Sequence, residues 1–364
     1  MRKWLPYFLL VWIFQILPMS YGDGDGIYPS DENPEKVELY DKATKEAVAR
    51  GLQFLADSQN EDGSWTAYYH TSDYSSPHLG VTGICGMAFI AGGNLPTRGP
   101  YAKTLNKAVQ YILHNTTPQG AITNDGSFRF GYSHAFATLF LSQVYGQCPE
   151  REDIGKALAN ATAWIVNSQK NDGGWRYHPW NKKEASDLTV TVSNIIALRA
   201  ARNVGIAIDS KVIKRAIKYV EKLYLHRRGF SYSAGNAKIT FATNAAGIAT
   251  MLYSGRDRKD PMVKDAMQSM NYFLYKTNNM DLSKSMYLRK GQYHLLYGNY
   301  YTAQVYFFMG GEDWEYFYTL MKTSSLKTQN RNGSWSDCIG SAYGTAMVCL
   351  ILQFGNNYLP IFQR

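Results

Sequence analysis

The sequence predicts an all-α fold, an (α/α)6 toroid in which six helix-pair repeats form a double-layered helical barrel. Three observations predict it. A turn motif recurs in phase along the chain, one-sided helices alternate with helices that are apolar on every side, and the alternation occurs six times. The 364 residues are 45% hydrophobic and 14% aromatic, enough to bury a large core. The predicted toroid occupies residues 41–364 as a single domain.

The first 22 residues have the features of a secretory signal peptide. Arg2 and Lys3 precede an apolar stretch from Trp4 to Met19, and Ser20-Tyr-Gly22 supplies a small-x-small cleavage site. The apolar stretch is short for a transmembrane span, which needs about 20 apolar residues. We expect cleavage after Gly22, a secreted or periplasmic mature chain without a membrane span, and a leader at residues 23–40.

Three turns share the motif Gln-x-x-x-Gly-x-Trp, and each follows an amphipathic helix. The motif residues are Gln59, Gly63 and Trp65 in the first turn, Gln169, Gly173 and Trp175 in the second, and Gln329, Gly333 and Trp335 in the third. The glycine permits the positive φ that ends a helix, the Gln amide can bond free backbone groups, and the Trp ring can pack across the turn. We therefore predict a structural role for the motif.

A nearly apolar helix follows each turn and must be buried among other helices. We expect these inner helices to open at a Thr or Ser and to close at a Gly. The predicted openings are Thr82, Ser133, Thr191, Thr243, Thr302 and Thr345, and the predicted closures are Gly92, Gly146, Gly205, Gly255, Gly310 and Gly355.

Repeats two, four and five are degenerate. Gly120-Ala-Ile122 and Gly229-Phe-Ser-Tyr232 keep remnants of the turn, and the pattern is lost between Lys276 and Gln292. The first and last repeats carry the full turn instead of the polar cap that an open stack needs. Closure of the ring, with repeat six on repeat one, is therefore predicted.

The formal net charge is +9, and one predicted outer helix carries a basic face of Lys211, Lys214, Arg215, Lys218 and Lys222. A solvated face explains this stripe, and docking of an anionic lipid or polysaccharide is the alternative. No nucleic-acid-binding motif is present, so a nucleic-acid partner is not expected.

Four cysteines follow the leader, and the sequence leaves their disulfide state open. They are Cys85, Cys148, Cys338 and Cys349, and none belongs to a CxxC pair. The seven histidines show no metal-ligand spacing. We therefore predict no metal site and no cofactor.

The three turn motifs resemble the QW repeats of squalene–hopene cyclases, and the same helix-pair unit builds the β-subunits of protein prenyltransferases. The chain is similar to the squalene-cyclase-like repeat proteins that bacteria export. The most specific stretches are Tyr300–Gln304, Gly310–Trp314, Tyr343–Met347 and Tyr358–Pro360. The resemblance implies the terpenoid cyclase/prenyltransferase toroid, and it does not by itself imply an activity.

The chemistries of these families leave few traces in the sequence. The Asp-x-Asp-Asp acid of squalene–hopene cyclases, the Asp-Asp-x-x-Asp run that binds magnesium and the Gly-Cys-Gly-Glu-Gln thioester segment are absent. Asp337-Cys338 matches the zinc ligands of prenyltransferases only superficially, since no histidine follows. Asp187 is the candidate catalytic acid, with a helix cap as its structural alternative. A pair of carboxylates for a glycosidase or lyase cannot be assigned among Asp73, Asp125, Asp187, Asp281 and Asp337.

The starts of the six inner helices are expected to ring one mouth of the toroid. The predicted ligand-binding residues there are Tyr74, His78, Tyr132, His134, Asn194, Asn244, His294, Tyr297, Tyr300, Tyr301 and Tyr343, with Asp187 among them. Such an aromatic and polar rim suits an isoprenoid, another lipid, a glycan or a protein partner. The alternative is that these side chains fill the ring as core.

Because the families' reactive motifs are absent, we expect a non-catalytic binding or scaffold protein outside the cytoplasm. The alternative is a divergent isoprenoid cyclase or prenyltransferase-like enzyme whose acid has moved. A ring filled with side chains would favour the scaffold, and a mouth rich in carboxylates would favour the enzyme.

Overall fold

A computed structural model describes residues 39–68, 75–124, 130–179, 184–277, 281–284 and 294–356. Within these ranges helices of two kinds alternate strictly along the chain. The outer helices are α1 (Lys42–Asp57), α3 (Ala102–His114), α5 (Glu152–Asn167), α7 (Ser210–Lys222), α9 (Pro261–Thr277) and α11 (Gly311–Thr328). The inner helices are α2 (Leu79–Ala91), α4 (Phe130–Gln147), α6 (Leu188–Asn203), α8 (Phe241–Tyr253), α10 (Leu295–Met309) and α12 (Ser341–Leu352).

Two small hairpins and two 3-10 turns complete the described structure. Strand β1 (Thr66–Tyr68) pairs antiparallel with β2 (Ser75–Pro77), and β3 (Tyr224–Leu225) pairs antiparallel with β4 (Gly229–Phe230). The 3-10 turns are Leu282–Lys284 and Phe354–Asn356. These elements connect or follow helices, so the fold class is all-α.

The two layers follow from the distribution of apolar residues. Every residue of α2 is buried, whereas α7 buries one face and exposes its lysines. Each inner helix packs on the next inner helix, and α12 packs on both α10 and α2. The inner helices therefore form a closed ring with the outer helices around it, and the predicted all-α toroid is confirmed.

Neighbouring inner helices run parallel. A Cβ added at Gly80 would meet Ser133, and one added at Gly86 would meet Phe140. Later residues of α2 therefore face later residues of α4, as they do in parallel helices. The starts of the inner helices consequently gather at one end of the ring, which we call the N-terminal mouth. Their ends gather at the other, which we call the C-terminal mouth.

The intact turns of repeats one, three and six share one set of hydrogen bonds. In repeat three, Gln169 Nε2 donates to the Gly173 carbonyl at 2.8 Å and to the Val212 carbonyl of the next outer helix at 2.9 Å. Trp175 Nε1 donates to the Ile165 carbonyl at 2.8 Å, and the Trp175 amide donates to Thr191 Oγ1 at 3.0 Å. The turn therefore joins its own outer helix, its inner helix and the next repeat.

Only glycine fits the sharpest point of these turns. Gly173 has φ of +97°, and an added Cβ would lie 2.6 Å from the Arg215 carbonyl oxygen of α7. Gly63 and Gly333 meet the backbone of α3 and α1 in the same way. A side chain would be strained and would also separate two outer helices.

The turn of repeat six closes the ring. Gln329 Nε2 donates to the Ala47 carbonyl of α1 at 2.8 Å, and Arg50 donates to Gln329 Oε1. Gly333 lies against the backbone of Arg50. Repeat six thus contacts repeat one as each intact turn contacts the repeat that follows it.

The predicted openings of the inner helices are wrong by two to seven residues, because the helices begin earlier. His78, Asp187 and Thr240 precede α2, α6 and α8 and cap them with side-chain acceptors. The threonines at the predicted openings lie inside the helices. In the intact repeats their hydroxyl oxygens accept hydrogen bonds from the backbone amides of the turn Trp residues.

The predicted closures are accurate at two helices. Gly92 and Gly310 directly follow α2 and α10. Gly205 and Gly255 come two residues after their helices, Gly146 lies inside α4, and Gly355 lies in a 3-10 turn after α12.

The predicted signal peptide and residues 23–38 of the leader lie outside the described residues. Residues Lys36–Arg364 form one compact unit. Among the helices that the structure describes, none is both long and apolar enough to cross a bilayer.

Candidate active site

Asp187 caps α6 at the N-terminal mouth and is fully buried. Its Oδ1 accepts hydrogen bonds from the Val190 amide at 2.9 Å and from Thr189 Oγ1 at 2.8 Å. Its Oδ2 lies 3.1 Å from Nη1 of Arg176. Burial raises the pKa of Asp187, and the three donors lower it by a smaller amount. The protonated form is therefore more populated than in an exposed aspartate.

Arg176 connects Asp187 to two tyrosines. Its Nη1 also donates to the Tyr232 hydroxyl at 2.9 Å, which is 2.7 Å from the Tyr177 hydroxyl. The guanidinium lies 4.7 Å from the centroid of the Tyr177 ring. Burial is the main cause that raises the pKa of Tyr232, so this hydroxyl stays protonated beside Asp187.

Thr189 connects Asp187 to the centre of the ring. The Tyr132 hydroxyl donates to Thr189 Oγ1 at 2.5 Å, and that hydroxyl in turn donates to Asp187. The Tyr297 hydroxyl donates to the Thr189 carbonyl at 3.1 Å. A chain of hydroxyls thus leads from Tyr132 through Thr189 to the carboxyl, and each of its hydrogen bonds polarises the next.

Tyrosines of α10 pack across the ring. The exposed fractions of Tyr297, Tyr300 and Tyr301 are 7%, 1% and 0%. The Tyr301 ring centroid lies 4.9 Å from that of Tyr297 and 5.1 Å from that of Tyr300. Burial raises the pKa of Tyr301 to about 12. The ring is therefore filled with aromatic side chains at this level, which agrees with the core alternative.

A second buried carboxyl lies in repeat six, three repeats away around the ring from Asp187. The exposed fraction of Asp337 is 6%, and its Oδ1 accepts the Ile339 amide at 2.8 Å. Burial raises the pKa of Asp337 to about 7. The buried Tyr343 follows on α12, and the charge of Asp337 is among the causes that raise the pKa of Tyr343, after burial.

Asp281 does not join these two acids. Its carboxylate accepts hydrogen bonds from Ser283 and caps a 3-10 turn. Tyr74, Asp73 and Asp125 lie outside the described residues.

His134 and Asn244 hold the degenerate turns together. Nδ1 of His134 accepts the Ile122 amide at 3.0 Å, and Nε2 lies 3.1 Å from the Ala161 carbonyl, to which it donates. Oδ1 of Asn244 accepts the Phe230 amide at 3.2 Å, and Nδ2 donates to the Ala266 carbonyl at 3.0 Å. These contacts occupy the polar atoms that we had assigned to a ligand.

Three further predicted residues lie at helix starts or within a helix. His78 caps α2, and its Nε2 is 3.4 Å from Ser133 Oγ. Asn194 donates to the Val190 carbonyl of its own helix at 3.0 Å. His294 precedes α10 with φ of +66°. The structure therefore brings together Asp187, Tyr132, Tyr297, Tyr300 and Tyr301 of the predicted set, and it uses His134 and Asn244 in the turns of other repeats.

Sequence analysis missed Arg176, Tyr177 and Thr189, and it recognised Tyr232 only as a turn remnant. Arg176 and Tyr177 directly follow the Trp of the third-repeat turn, at the entry to the next inner helix. The sequence signal for these residues is their position immediately after a turn motif.

A cavity of about 250 Å³ lies beside repeat six, away from Asp187. Its lining residues are Leu282, Ser283, Leu296, Thr328, Trp335, Ser336 and Val348. Within the described part of the chain, no three His, Cys, Asp or Glu side chains are grouped as a metal ion would require.

The fold resembles that of type II terpene cyclases. The apo structure of MstE from Scytonema aligns with a TM-score of 0.60 at 11% identity, covering 87% of this chain and 99% of that one. A variant of MstE in complex with its substrate, geranylgeranyl dihydroxybenzoate, aligns with a TM-score of 0.56 at 12% identity, covering 88% and 98%. A protein from Actinoplanes aligns with a TM-score of 0.54 at 12% identity, covering 87% and 99%.

No family model and no curated protein matches the sequence. At such low identity the structural matches show the fold alone. The chain therefore has a terpenoid-cyclase-like toroid, and its function has to be argued from its own residues.

Proposed function

We propose that this protein is a divergent enzyme of the terpenoid-cyclase type, which uses Asp187 to protonate an isoprenoid. The observation that carries the proposal is a fully buried carboxyl, bonded to a guanidinium and bordered by tyrosine rings. This replaces the expectation of a non-catalytic protein with its alternative, because the partners of Asp187 come from separate elements and form no contiguous motif in the sequence. The occurrence of the fold in cyclases of isoprenoid substrates supports it.

The environment of Asp187 suits an acid that must protonate an alkene. Burial raises the pKa of Asp187 and so favours its protonated form, and the Val190 amide, the Thr189 hydroxyl and Arg176 stabilise the carboxylate that remains after proton transfer. The alkene π electrons form the new C–H bond, and the resulting carbocation is attacked by the next alkene. Loss of a proton from the final carbocation to the Asp187 carboxylate ends the reaction and restores the acid, so the product is an isomer of the substrate.

The surrounding rings suit the positive charge of such an intermediate. Tyr132 and Tyr297 lie 6.0 Å apart at their centroids, next to Thr189. Aromatic faces attract cations, and more strongly where water is excluded. Asp187 is closed to solvent, so substrate entry requires a bordering side chain to move. The hydroxyl chain from Tyr132 through Thr189 would relay the proton lost by the final carbocation to Asp187, each hydroxyl receiving one proton as it passes one on.

The test is incubation of the purified protein with geranylgeraniol, squalene and geranylgeranyl dihydroxybenzoate, followed by mass spectrometry of the extracts. We expect a product of unchanged mass and altered retention time from the wild-type protein and none from Asp187→Asn. Asparagine is a good N-cap, so this variant should keep the cap of α6.

Asp209→Asn is the matched control, since Asp209 caps the outer helix α7 in the same way. It should retain full turnover. Product formation by Asp187→Asn at the wild-type rate would exclude Asp187 as the acid.

The packed tyrosines favour a second candidate function, a non-catalytic protein that binds an amphipathic ligand or a protein partner. Tyr297, Tyr300 and Tyr301 leave little room for a reacting chain at their level of the ring. This candidate predicts that a lipid or glycan co-purifies in stoichiometric amount and is released unchanged. Turnover of any of the three substrates would exclude it.

We also propose that the chain acts outside the cytoplasm, because its first 22 residues have the pattern of a signal peptide. N-terminal sequencing of the protein from its native compartment tests this. The expected mature start is Asp23, and an intact Met1 would contradict export by cleavage.

A further inference from the structure

Arg199 lies on α6 near the C-terminal mouth, at the end of the ring opposite Asp187. The two residues are twelve positions apart in sequence, which is about 18 Å along a helix axis. Arg199 is partly buried, and its Nη1 donates to the carbonyl of Tyr253, the last residue of α8. Its guanidinium also lies 5.7 Å from the centroid of the Tyr253 ring.

These contacts satisfy only a part of the guanidinium. Arginine has five N–H donors, and among the described residues only Tyr253 accepts one from Arg199. No Asp or Glu in the described part of the chain forms an ion pair with Arg199. None of the Arg199 nitrogens is a fully enclosed atom without a partner, so water or an anion can reach the remaining donors.

The charges around Arg199 point the same way. Burial is the main cause that lowers the pKa of this guanidinium; Tyr253 raises it, and the positive charge of Arg202 lowers it by a smaller amount. A bound anion would offset the effects of burial and of Arg202. The planar guanidinium matches the two oxygens of a carboxylate or phosphate, with which it forms paired hydrogen bonds.

Apolar surface lies directly beside the charge. The Phe308 ring packs edge-on against Tyr253 at 5.0 Å between centroids. The Tyr253 hydroxyl donates to Gln304 Oε1 at 2.5 Å, so this tyrosine is held in place below Arg199. The cation therefore sits at the edge of a fixed aromatic surface.

We infer that Arg199 is the anchor of an oxyanion-binding site at the C-terminal mouth, for the carboxylate or phosphate group of a ligand. The cap on α8 uses one nitrogen, Nη1, and leaves Nη2 and Nε for the anion. The site stands apart from Asp187, so anion binding and turnover are separate measurements.

The experiment is calorimetric titration of the full-length protein, in phosphate-free buffer, with decyl phosphate, decanol and inorganic phosphate. We expect decyl phosphate to bind at least about tenfold more tightly than decanol, because charge-assisted hydrogen bonds are worth that much or more. Tighter binding of decyl phosphate than of inorganic phosphate would assign the anion to a lipid. Equal binding of the two would assign it to a free anion.

Arg199→Gln should remove the preference for decyl phosphate over decanol. Arg258→Gln is the matched control, because Arg258 donates to the Met309 carbonyl and so caps α10 from an exposed position. It should keep the preference. Arg199→Lys, which retains a point charge, should weaken binding by only a few-fold.

Equal affinity of the wild-type protein for decyl phosphate and decanol would overturn the inference, as would wild-type affinity in Arg199→Gln. If Arg199→Gln does not fold, the wild-type comparison of the two decyl compounds and the Arg199→Lys variant still decide the matter.

Discussion

The intact turn of repeat three and the degenerate turn of repeat two make the same connections with different residues. In repeat three, Gln169 of the turn reaches the next outer helix, and Thr191 of the inner helix accepts the Trp175 amide. In repeat two, His134 of the inner helix does both, through its two ring nitrogens. Each repeat needs hydrogen bonds that join its turn to its inner helix and to the next repeat. The side chain that reaches the next repeat can come from the turn, as Gln169 does, or from the inner helix, as His134 does.

Repeat four confirms this interpretation. Asn244 of α8 accepts the Phe230 amide and donates to the Ala266 carbonyl, as His134 does in repeat two. A polar residue of an inner helix that faces a degenerate turn therefore replaces the hydrogen bonds of the missing turn motif. That structural role is the first interpretation to consider, ahead of ligand binding. Substitutions in the two kinds of turn test how far this equivalence extends.

The largest effect is expected from the buried aromatic residue of an intact turn. Trp175→Ala should lower the free energy of unfolding by about 4 kcal/mol, because it leaves a large cavity and removes the bond to the Ile165 carbonyl. Ile122→Ala, at the same position of the degenerate turn, should cost about 3 kcal/mol. Urea unfolding measures both, and a larger loss in Ile122→Ala would show that the degenerate turn is the tighter one.

The glycine of the degenerate turn should be as intolerant as those of the intact turns. Gly120 has φ of +89°, and an added Cβ would lie 2.1 Å from the Asn160 carbonyl oxygen. Gly120→Ala should cost about 3 kcal/mol, from strain and from separation of the helices. Gly205→Ala is the control, since Gly205 has φ of +92° and nothing within 4 Å, and it should cost about 1 kcal/mol. Equal losses of stability in the two variants would mean that the close approach of Gly120 to the Asn160 carbonyl does not add to the cost.

His134→Ala should cost about 2 kcal/mol at neutral pH, because it leaves the buried Ile122 amide without an acceptor. His134→Asn is the control, as asparagine does this work in repeat four, and it should recover part of the loss. A neutral effect of both substitutions would break the proposed equivalence of the turns.

The stabilising effect of His134 should also depend on pH. Burial lowers its pKa from 6.5 to about 4, so the folded protein binds this proton less readily than the unfolded chain. The stabilisation is complete above pH 6.5 and is lost as the pH falls towards 4, by about 3 kcal/mol in total. The difference between wild type and His134→Ala, followed from pH 7 to pH 4, should shrink and then change sign, because the loss on protonation exceeds the cost of the substitution at neutral pH. A constant difference would contradict a neutral buried imidazole.

The smallest effect is expected from the Gln of an intact turn. Gln59 donates to the Gly63 carbonyl and to the Thr104 carbonyl of α3, but it is only partly buried. Water can replace part of both bonds, so Gln59→Ala should cost about 1 kcal/mol. Gln53→Ala, on the exposed face of α1, is a suitable control and should have almost no effect. A loss of unfolding free energy as large as that of Trp175→Ala would show that the hydrogen bonds of the Gln side chain, and not the packing of the Trp ring, contribute most to the stability of the turn.

The toroid was predictable because its pattern is repeated. Periodicity separates one-sided helices from fully buried ones, and three copies of one turn fix the phase of the repeats. The exact helix starts were not predictable from the threonines. His78 and Asp187 cap α2 and α6 from positions that carry no repeated sequence mark, and the threonines serve the turns instead.

The candidate site was predictable only in part. Asp187 was identified because it stands alone before an inner helix, and Tyr132 and Tyr297 because they lie near helix starts. Their partners were not, since Arg176 comes from a turn and Tyr232 from the following repeat, which meet only when the helices pack side by side. Arg199 carries no sequence mark at all. Its neighbours come from α8 and α10, and among the described residues they include no carboxylate that pairs with the guanidinium. The proposed anion site rests on that missing partner.

Closure of the ring has a consequence for how the chain folds. Gln329 and Ala47, whose bond joins repeat six to repeat one, are 282 positions apart in sequence. Contacts between such distant parts of a chain form late and slowly. During synthesis α2 therefore emerges without its neighbour α12 and stays exposed on one apolar flank until α12 has been made and has packed against it. The interval before closure is the period in which the growing chain would depend most on a chaperone.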